Sequence, residues 1–158
     1  MAETIRYMED ALDAVKDYIN SELNTMLATI ESERDETVPR IGHLIVGESV
    51  VQKWPRIEVL PGETVTDYGF DNAPLVRPWL QHIINVMISH QSGKREEVEH
   101  ALLRYVEGMH RITYDDTTYD GEFVWVRLLG EDYTPMMEDQ EAKKMIQAVV
   151  VRLECKTR

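Results

Sequence analysis

The sequence has one cysteine, few cations and no long apolar run among its 158 residues. Because Cys155 has no second cysteine to pair with, the chain cannot form an internal disulfide or a cysteine-rich zinc site, which is typical of a reducing compartment. No stretch approaches the roughly 20 apolar residues that span a membrane, and the N-terminus carries acids where a signal peptide has an apolar core. We therefore expect a cytoplasmic product without a membrane partner.

Lysine and arginine are scarce relative to the acids. The chain has 17 Lys plus Arg against 29 Asp plus Glu, a formal net charge of -12. Binding to DNA or RNA depends on clustered cations that neutralise phosphates, so this balance disfavours a nucleic-acid-binding function. What is present, 43% hydrophobic and 29% charged residues, is the composition of a folded protein, and the length predicts one domain over residues 1–158.

Apolar residues recur at steps of three and four through residues 4–33, while acids and lysines occupy the other positions. This spacing predicts a long amphipathic N-terminal helix. At about 1.5 Å per residue it would be about 45 Å long, which is long for a domain of this size. We expect the helix to lie across a sheet; self-association of its outer end is the alternative.

Two strands are predicted next, at residues 41–51 and 54–63, because both segments are rich in β-branched or alternating apolar residues. Pro61-Gly62 reads as the turn that ends the second strand. Residues 64–78 show no period and contain one glycine and two prolines. They predict a long loop, and long loops in compact domains are usually functional or disordered.

The second half of the chain alternates between the two periodicities. Residues 82–90 predict a strand with one mainly aliphatic face, residues 92–112 a helix with Ser92 as its N-cap, and residues 122–130 and 145–155 two further strands. With only one helix between strands, repeated βαβ winding is excluded. The predicted class is α+β, a mainly antiparallel sheet with the long N-terminal helix and the second helix packed on one face.

The segment TYDDTTYDGEF, residues 113–123, concentrates acids around a glycine. A calcium loop aligned on Gly121 would need a ligand where Thr118 stands and a bidentate acid where Arg127 stands, so calcium binding is disfavoured. Acid catalysis needs two carboxylates in a dry pocket, whereas this segment is polar on every side. We interpret it as a solvated connector with a turn at Asp120-Gly121. An acidic metal- or ligand-binding module is the alternative.

Other chemistry finds little support in the sequence. The five histidines lack the i, i+4 spacing of a helical metal pair, no base neighbours Cys155, and the serines lack a Gly-x-Ser-x-Gly elbow. No glycine-rich phosphate loop is present either. We therefore predict no catalytic residue, no metal and no cofactor, with a hydrolase built on dispersed carboxylates as a weaker alternative. The methionine-rich segment YTPMMEDQ, residues 133–140, is a candidate for an adaptable contact site.

Several motifs occur in a suggestive order. After the leading helix come WPRIEVLPG, then HIINVMISH running into EEVEHALLRYVEGMHRI, then YDGEFVWVRLLGEDYTP with its Tyr-x-Pro turn, and KKMIQAVVVRLEC as a closing strand. In this order the chain resembles the small tail-terminator, or tail-completion, proteins of long-tailed bacteriophages. The resemblance covers most of the chain and lies in patterning; the N-terminal helix and the loop at residues 64–78 are larger than the family pattern.

The resemblance implies a non-enzymatic virion protein of the tail or neck, assembled in the host cytoplasm. Such proteins form a homo-oligomeric ring, commonly a hexamer, that caps the tail tube, ends its polymerisation and joins the tail to the head. The implied partners are other copies of the chain, the tail tube protein and the head-tail connector protein, while DNA passes through the lumen without specific binding. A head-tail connector protein, adaptor or stopper, is the alternative within the same setting.

Contacts with these partners are expected from the long loop, the acidic segment and the methionine-rich segment. The candidate residues are Asp67, Tyr68, Phe70, Asp71, Arg77, Asp115, Asp116, Asp120, Tyr133, Met136 and Met137.

Overall fold

A computed structural model describes residues 7–67 and 79–157 of the chain. Within these residues the helices and strands follow one another in an order close to the predicted one. The elements are α1 (Met8–Arg34), β1 (His43–Val46), β2 (Arg56–Asp67), β3 (Trp79–Ser92), α2 (Arg95–Asp115), β4 (Trp125–Tyr133), β5 (Met137–Asp139) and β6 (Lys144–Lys156).

The strands form one sheet in the order β1-β2-β3-β6-β4, and β5 pairs with β6 on the same side as β4. Only the β1–β2 pair is parallel among the described strands; the other pairs are antiparallel. The long strands β3 and β6 lie at the centre and pair over twelve positions, from Gln81 with Lys156 to Ser92 with Met145. The predicted α+β class with a mostly antiparallel sheet is confirmed.

The core lies between the two helices and one face of the sheet. Alternate residues of β3, including Ile84, Val86 and Ile88, are fully buried, and the residues opposite them on β6 are buried as well. This alternation places the whole aliphatic set of each strand on the face that the helices cover. The expected packing of both helices on one side of the sheet follows from it.

Helix α1 packs on this core along its whole length. Its buried residues run from Ala11 to Ile30 at helical spacing. Leu23 and Leu27 cross α2 at Gly108, where a Cβ would lie 2.8 Å from Leu23 Cδ1. The missing side chain therefore lets the two helices approach closely. The interpretation of α1 as a helix lying on its own sheet agrees with the structure.

Ion pairs also join the two helices near the C-terminal end of α1. Arg34 donates two hydrogen bonds to the Glu107 carboxylate, from Nε at 3.1 Å and from Nη2 at 3.0 Å. Arg111 bridges Glu33 and Glu107, while Glu36 accepts from both Arg104 and His100. Exposed pairs of this kind contribute little singly, and a bidentate network more. Neither described helix is apolar enough over 18 residues to cross a membrane.

Strand β2 differs from its prediction at Pro61-Gly62, which is not a turn. The strand continues to Asp67, and its register with β3 shifts between Pro61 and Thr64. At this irregularity a Cβ on Gly62 would lie only 2.6 Å from the backbone oxygen of Ile83. The glycine is therefore needed for a close approach of two strands, one of the uses that glycine has inside a sheet.

Element ends account for the remaining differences. Ser92 is the last residue of β3, and Lys94 is the N-cap of α2. Strand β4 begins at Trp125 and continues beyond Gly130, where a φ of 155° and a register shift mark a bulge. Residues 64–67, which were predicted as the start of a loop at residues 64–78, belong to β2. The rest of that predicted loop lies outside the described residues. Strand β5 was not predicted.

Replacement of Gly62 by alanine is expected to destabilise the fold. The new Cβ would clash with a backbone oxygen, which cannot rotate away as a side chain can, so we expect unfolding to become easier by about 2 kcal/mol or more. Chemical denaturation of the native protein and the variants measures this, provided that the unfolding free energy depends equally on denaturant concentration in each protein. Gly93→Ala is the control, because nothing lies within 4 Å of a Cβ there. Equal midpoints for the two variants would contradict the role assigned to Gly62.

Candidate assembly surfaces

The acidic segment at residues 113–123 is built around the Asp116 carboxylate. Its Oδ1 accepts hydrogen bonds from Thr118 N at 2.9 Å and Thr118 Oγ1 at 2.7 Å, and its Oδ2 accepts one from Asp120 N at 2.7 Å. The Thr118 hydroxyl, followed by these backbone N–H donors, holds the pKa of Asp116 below its usual range. Asp116 therefore closes the loop and is not a freely solvated acid.

The turn expected at Asp120-Gly121 is present. Tyr119, Asp120 and Gly121 all have positive φ, at 49°, 59° and 78°. Aspartate and glycine tolerate this region of backbone space better than most residues, but tyrosine does not. The Tyr119 side chain compensates by being fully buried, so packing holds the backbone in the strained conformation.

Tyr119 also fixes the loop to α1. Its ring stacks on that of Tyr18 with 4.0 Å between centroids, and its hydroxyl lies 2.7 Å from Thr113 Oγ1. The Tyr18 hydroxyl donates to the backbone oxygen of Ile112 at 2.8 Å. Burial raises the pKa of both tyrosines well above the usual range, and the Asp116 carboxylate adds to the effect at Tyr18. Both phenols therefore stay protonated and remain hydrogen-bond donors.

A groove of about 390 Å³ opens between this loop and the first half of α1. Tyr18 and Tyr119 line it together with acids from both elements. We call this surface the acidic groove; its carboxylates are those of Asp10, Asp13, Asp17, Asp120 and Glu122. The structure thus joins one predicted contact residue, Asp120, to three aspartates of α1 that were not predicted. Their spacing along one face of α1 is the signal that could have identified them.

The other predicted contact residues lie elsewhere. Tyr133, Met136 and Met137 are near the end of β4, at the opposite end of that strand from the acidic loop. Tyr133 and Met137 are exposed, whereas Met136 packs against the core and is only partly available to a partner. Asp115 is exposed at the end of α2.

The candidates on the long loop cannot be placed. Asp67 ends β2, and only its backbone is described. Tyr68, Phe70, Asp71 and Arg77 lie outside the described residues.

The prediction also missed the face of the sheet opposite the helices. It carries partly exposed apolar residues at its centre, among them Ile83, Met87 and Val150, beside Asn85. No described helix covers it. We call this surface the outer sheet face. The pair Asn85 and Arg152 separates Ile83 from Met87 and Val150, so the face is of mixed polarity, and partly exposed apolar residues among polar ones occur at interaction sites.

Two arginines, Arg127 and Arg152, lie on the β4 side of the outer sheet face. Arg127 donates to Glu154 Oε2 from Nε at 2.9 Å; its side chain is 63% exposed, while that of its partner is only 11% exposed. Arg152 is 48% exposed and lies 3.8 Å from Asp132, a longer pair. Arg127 also lies over the Trp125 ring, 5.0 Å from its centroid. The Arg127 guanidinium therefore lies beside the Glu154 carboxylate and over the Trp125 indole, and the side chains of both arginines are exposed to solvent.

A second cavity, of about 440 Å³, lies between residues 37–39 and the first half of α2. Val38 and Ala101 form part of its wall, and His90 lies at its base with 8% of its surface exposed. Burial lowers the pKa of His90, so this imidazole is neutral at neutral pH. At the edge of the cavity, Arg104 and His100 are already engaged with Glu36. The cavity therefore offers a partner mainly an apolar surface.

Side chains that could bind a metal ion or act as a nucleophile are dispersed through the described residues. Residues 7–67 and 79–157 contain no group of three His, Cys, Asp or Glu side chains placed to hold a metal ion. Cys155 is buried, and burial raises the pKa of its thiol, which keeps the sulfur protonated and inaccessible.

Comparison with solved structures gives a distant similarity, whereas comparison of the sequence does not. No protein-family model matches the chain, and no curated protein sequence matches it. A solved structure described as "Virion of native gene transfer agent (GTA) particle" contains a chain that is 9% identical, with 92% of this chain and 93% of that chain covered and a TM-score of 0.40. A TM-score of this size does not establish a shared fold, and the virion description applies to that chain alone.

Removal of the Asp116 carboxylate is expected to loosen the loop that borders the acidic groove. Asp116→Ala loses three hydrogen bonds, and we expect a loss of about 1–2 kcal/mol in unfolding free energy. Asp115→Ala is the matched control and should change stability by less than about 0.5 kcal/mol.

The loss should also depend on pH. Because the pKa of Asp116 is lowered in the folded state, its contribution is present above the ordinary carboxyl value of about 4 and disappears as the pH falls through the lowered value. Thermal denaturation of both variants between pH 3 and pH 7 measures this. A pH-independent difference between Asp116→Ala and the native protein would show that the carboxylate is not the stabilising group.

Proposed function

We propose that this protein is a non-enzymatic virion protein of a long-tailed bacteriophage, which forms a homo-oligomeric ring at the end of the tail tube. In this role it caps the tube, ends its polymerisation and joins the tail to the head, in the position of a tail terminator. The motif order of the sequence supports this proposal through its resemblance to that family.

The structural observation behind the proposal is the outer sheet face. A sheet packed by helices on one side only can remain soluble if its other side is polar, yet on this side Ile83, Met87 and Val150 are partly exposed among polar residues, and no described helix covers them. Such a surface is expected on a subunit that is completed by a neighbour. Two distinct surfaces, the outer sheet face and the acidic groove, give each copy two different contact sites, as a ring requires.

The excess of acidic residues in the chain as a whole is suited to a ring through which DNA passes. A ring at the neck of a virion surrounds the DNA as it leaves the head, and carboxylates facing the lumen repel phosphates and keep the duplex from adhering. The net charge of -12 supplies such a field without any specific site for nucleic acid. The proposed partners are further copies of this chain, the tail tube protein and the head-tail connector protein, while DNA passes through the lumen without specific binding.

Ring formation tests the proposal directly. Native mass spectrometry and negative-stain electron microscopy of the purified chain at up to about 100 µM should show closed rings, with six subunits as the expected number. Added to polymerising tail tube protein of the same phage, the chain should shorten the tubes and be found at their ends. An unrelated protein of equal net charge is the control for non-specific effects.

Two results would count against the proposal. A chain that stays monomeric and leaves tube length unchanged would overturn it. Rings that bind the isolated head connector, but never a tube end, would instead assign the protein to the adaptor or stopper class.

A further inference from the structure

We infer that the outer sheet face of one subunit packs against α1 of the next copy, with the side chains of Arg127 and Arg152 directed toward the acidic groove. This inference rests on the proposed ring and names the two surfaces that would meet in it. The occupant of the outer sheet face is thus a second copy of this chain.

The charge of each surface selects this pairing. The guanidinium groups of Arg127 and Arg152 are exposed on the outer sheet face, with 63% and 48% of their side chains accessible. On α1, Asp10, Asp13 and Asp17 line the groove and form no ion pair among the described residues. Arg127 is already hydrogen-bonded to the nearly buried Glu154, so Arg152, whose pair with Asp132 is long, is the more available cation, and it is opposite in sign to the three aspartates.

A symmetric packing of two α1 surfaces is unfavourable, because it would oppose carboxylates to carboxylates. Like charges juxtaposed at an interface weaken it and exclude that arrangement. The favourable contact joins two different surfaces, which is a heterologous interface and the kind that closes into a ring.

Pairing through the sheet edge is a further alternative, and β4 is poorly suited to it. The strand carries a bulge at Gly130, followed by Glu131 and Asp132, and Pro135 comes two residues after its end. Bulges, charges and prolines are the features that prevent an edge strand from adding another strand. The face of the sheet is therefore a better contact surface than its β4 edge.

The dimensions of the two surfaces agree. Neighbouring strands lie about 4.8 Å apart, so the four strands β2, β3, β6 and β4 present a face about 15 Å wide. A helix with its side chains is about 10–12 Å across and fits this width. Part of the solvent side of α1 beyond the groove is uncharged, with Asn20, Thr25 and Ala28 exposed, and such residues suit the partly exposed apolar residues of the sheet face.

Charge reversal with rescue tests the inference. Arg152→Glu should raise the dissociation constant of the assembly at least about tenfold, and so should the double variant Asp13→Lys/Asp17→Lys. Combined in one chain, the three substitutions reverse the charge at Arg152 and at the two aspartates opposite it while Arg127 is unchanged, and the dissociation constant should return part of the way toward the native value. Sedimentation velocity and native mass spectrometry at fixed salt measure all four proteins.

The matched control is Arg95→Glu. It changes the net charge by the same amount as Arg152→Glu, but Arg95 lies in the first turn of α2, on the helix side of the sheet. The dissociation constant of the assembly formed by the Arg95→Glu variant should stay within about twofold of the native value, because only the overall charge has changed. Circular dichroism and thermal midpoints establish that each variant is folded; Arg152 is suitable because its partner Asp132 is itself exposed.

The outcomes separate this inference from the proposed function. If the native chain forms rings and Arg152→Glu assembles equally well, or if the combined variant is weaker than either parent, the named interface is wrong while the ring-forming function stands. If the native chain forms no oligomer and does not act on tail tubes, the function fails and the interface with it. Loss in each parent and recovery in the combined variant would support the pairing.

Discussion

The sheet must bury its aliphatic residues on one face, because both helices lie on the same side of it. This constraint determines the alternation along β3, where Ile84, Val86 and Ile88 face α1 and α2 while Ile83 and Met87 face the other way. It also places the close helix crossing at Gly108 above the covered face. The opposite face is the consequence: partly exposed apolar residues lie on it, and no described helix covers them.

The parts of the fold that the sequence predicts are those governed by periodicity. Helix α1 and strand β3 each repeat one pattern for many residues, so their existence did not depend on knowing their neighbours. Pro61-Gly62 shows where this fails. The same two residues suit a turn or an irregular strand, and what decides between them is the approach of Ile83 from β3, a contact absent from local sequence. The three-residue strand β5 likewise depends on pairing with β6.

Only one part of the acidic groove, the loop at residues 113–123, could be predicted from the sequence. The turn at Asp120-Gly121 follows from residue type, since both tolerate positive φ. That the Asp116 carboxylate is used within the loop could not be read from a run of acids. Nor could the sequence bring the loop to Asp13 and its neighbours on α1, because the two are about a hundred positions apart and meet only through the stacked rings of Tyr18 and Tyr119.

The charge imbalance acts differently at short and long range. Over distances beyond the Debye length of about 8 Å at physiological salt, the excess of acids repels other copies only weakly, so close contacts decide how copies meet. Many cations are unavailable for such contacts, because Arg34, Arg104 and Arg111 already join α1 to α2. Arg127 and Arg152 stay exposed on the outer sheet face. In the proposed pairing, a neighbouring copy would meet Arg152 on that face.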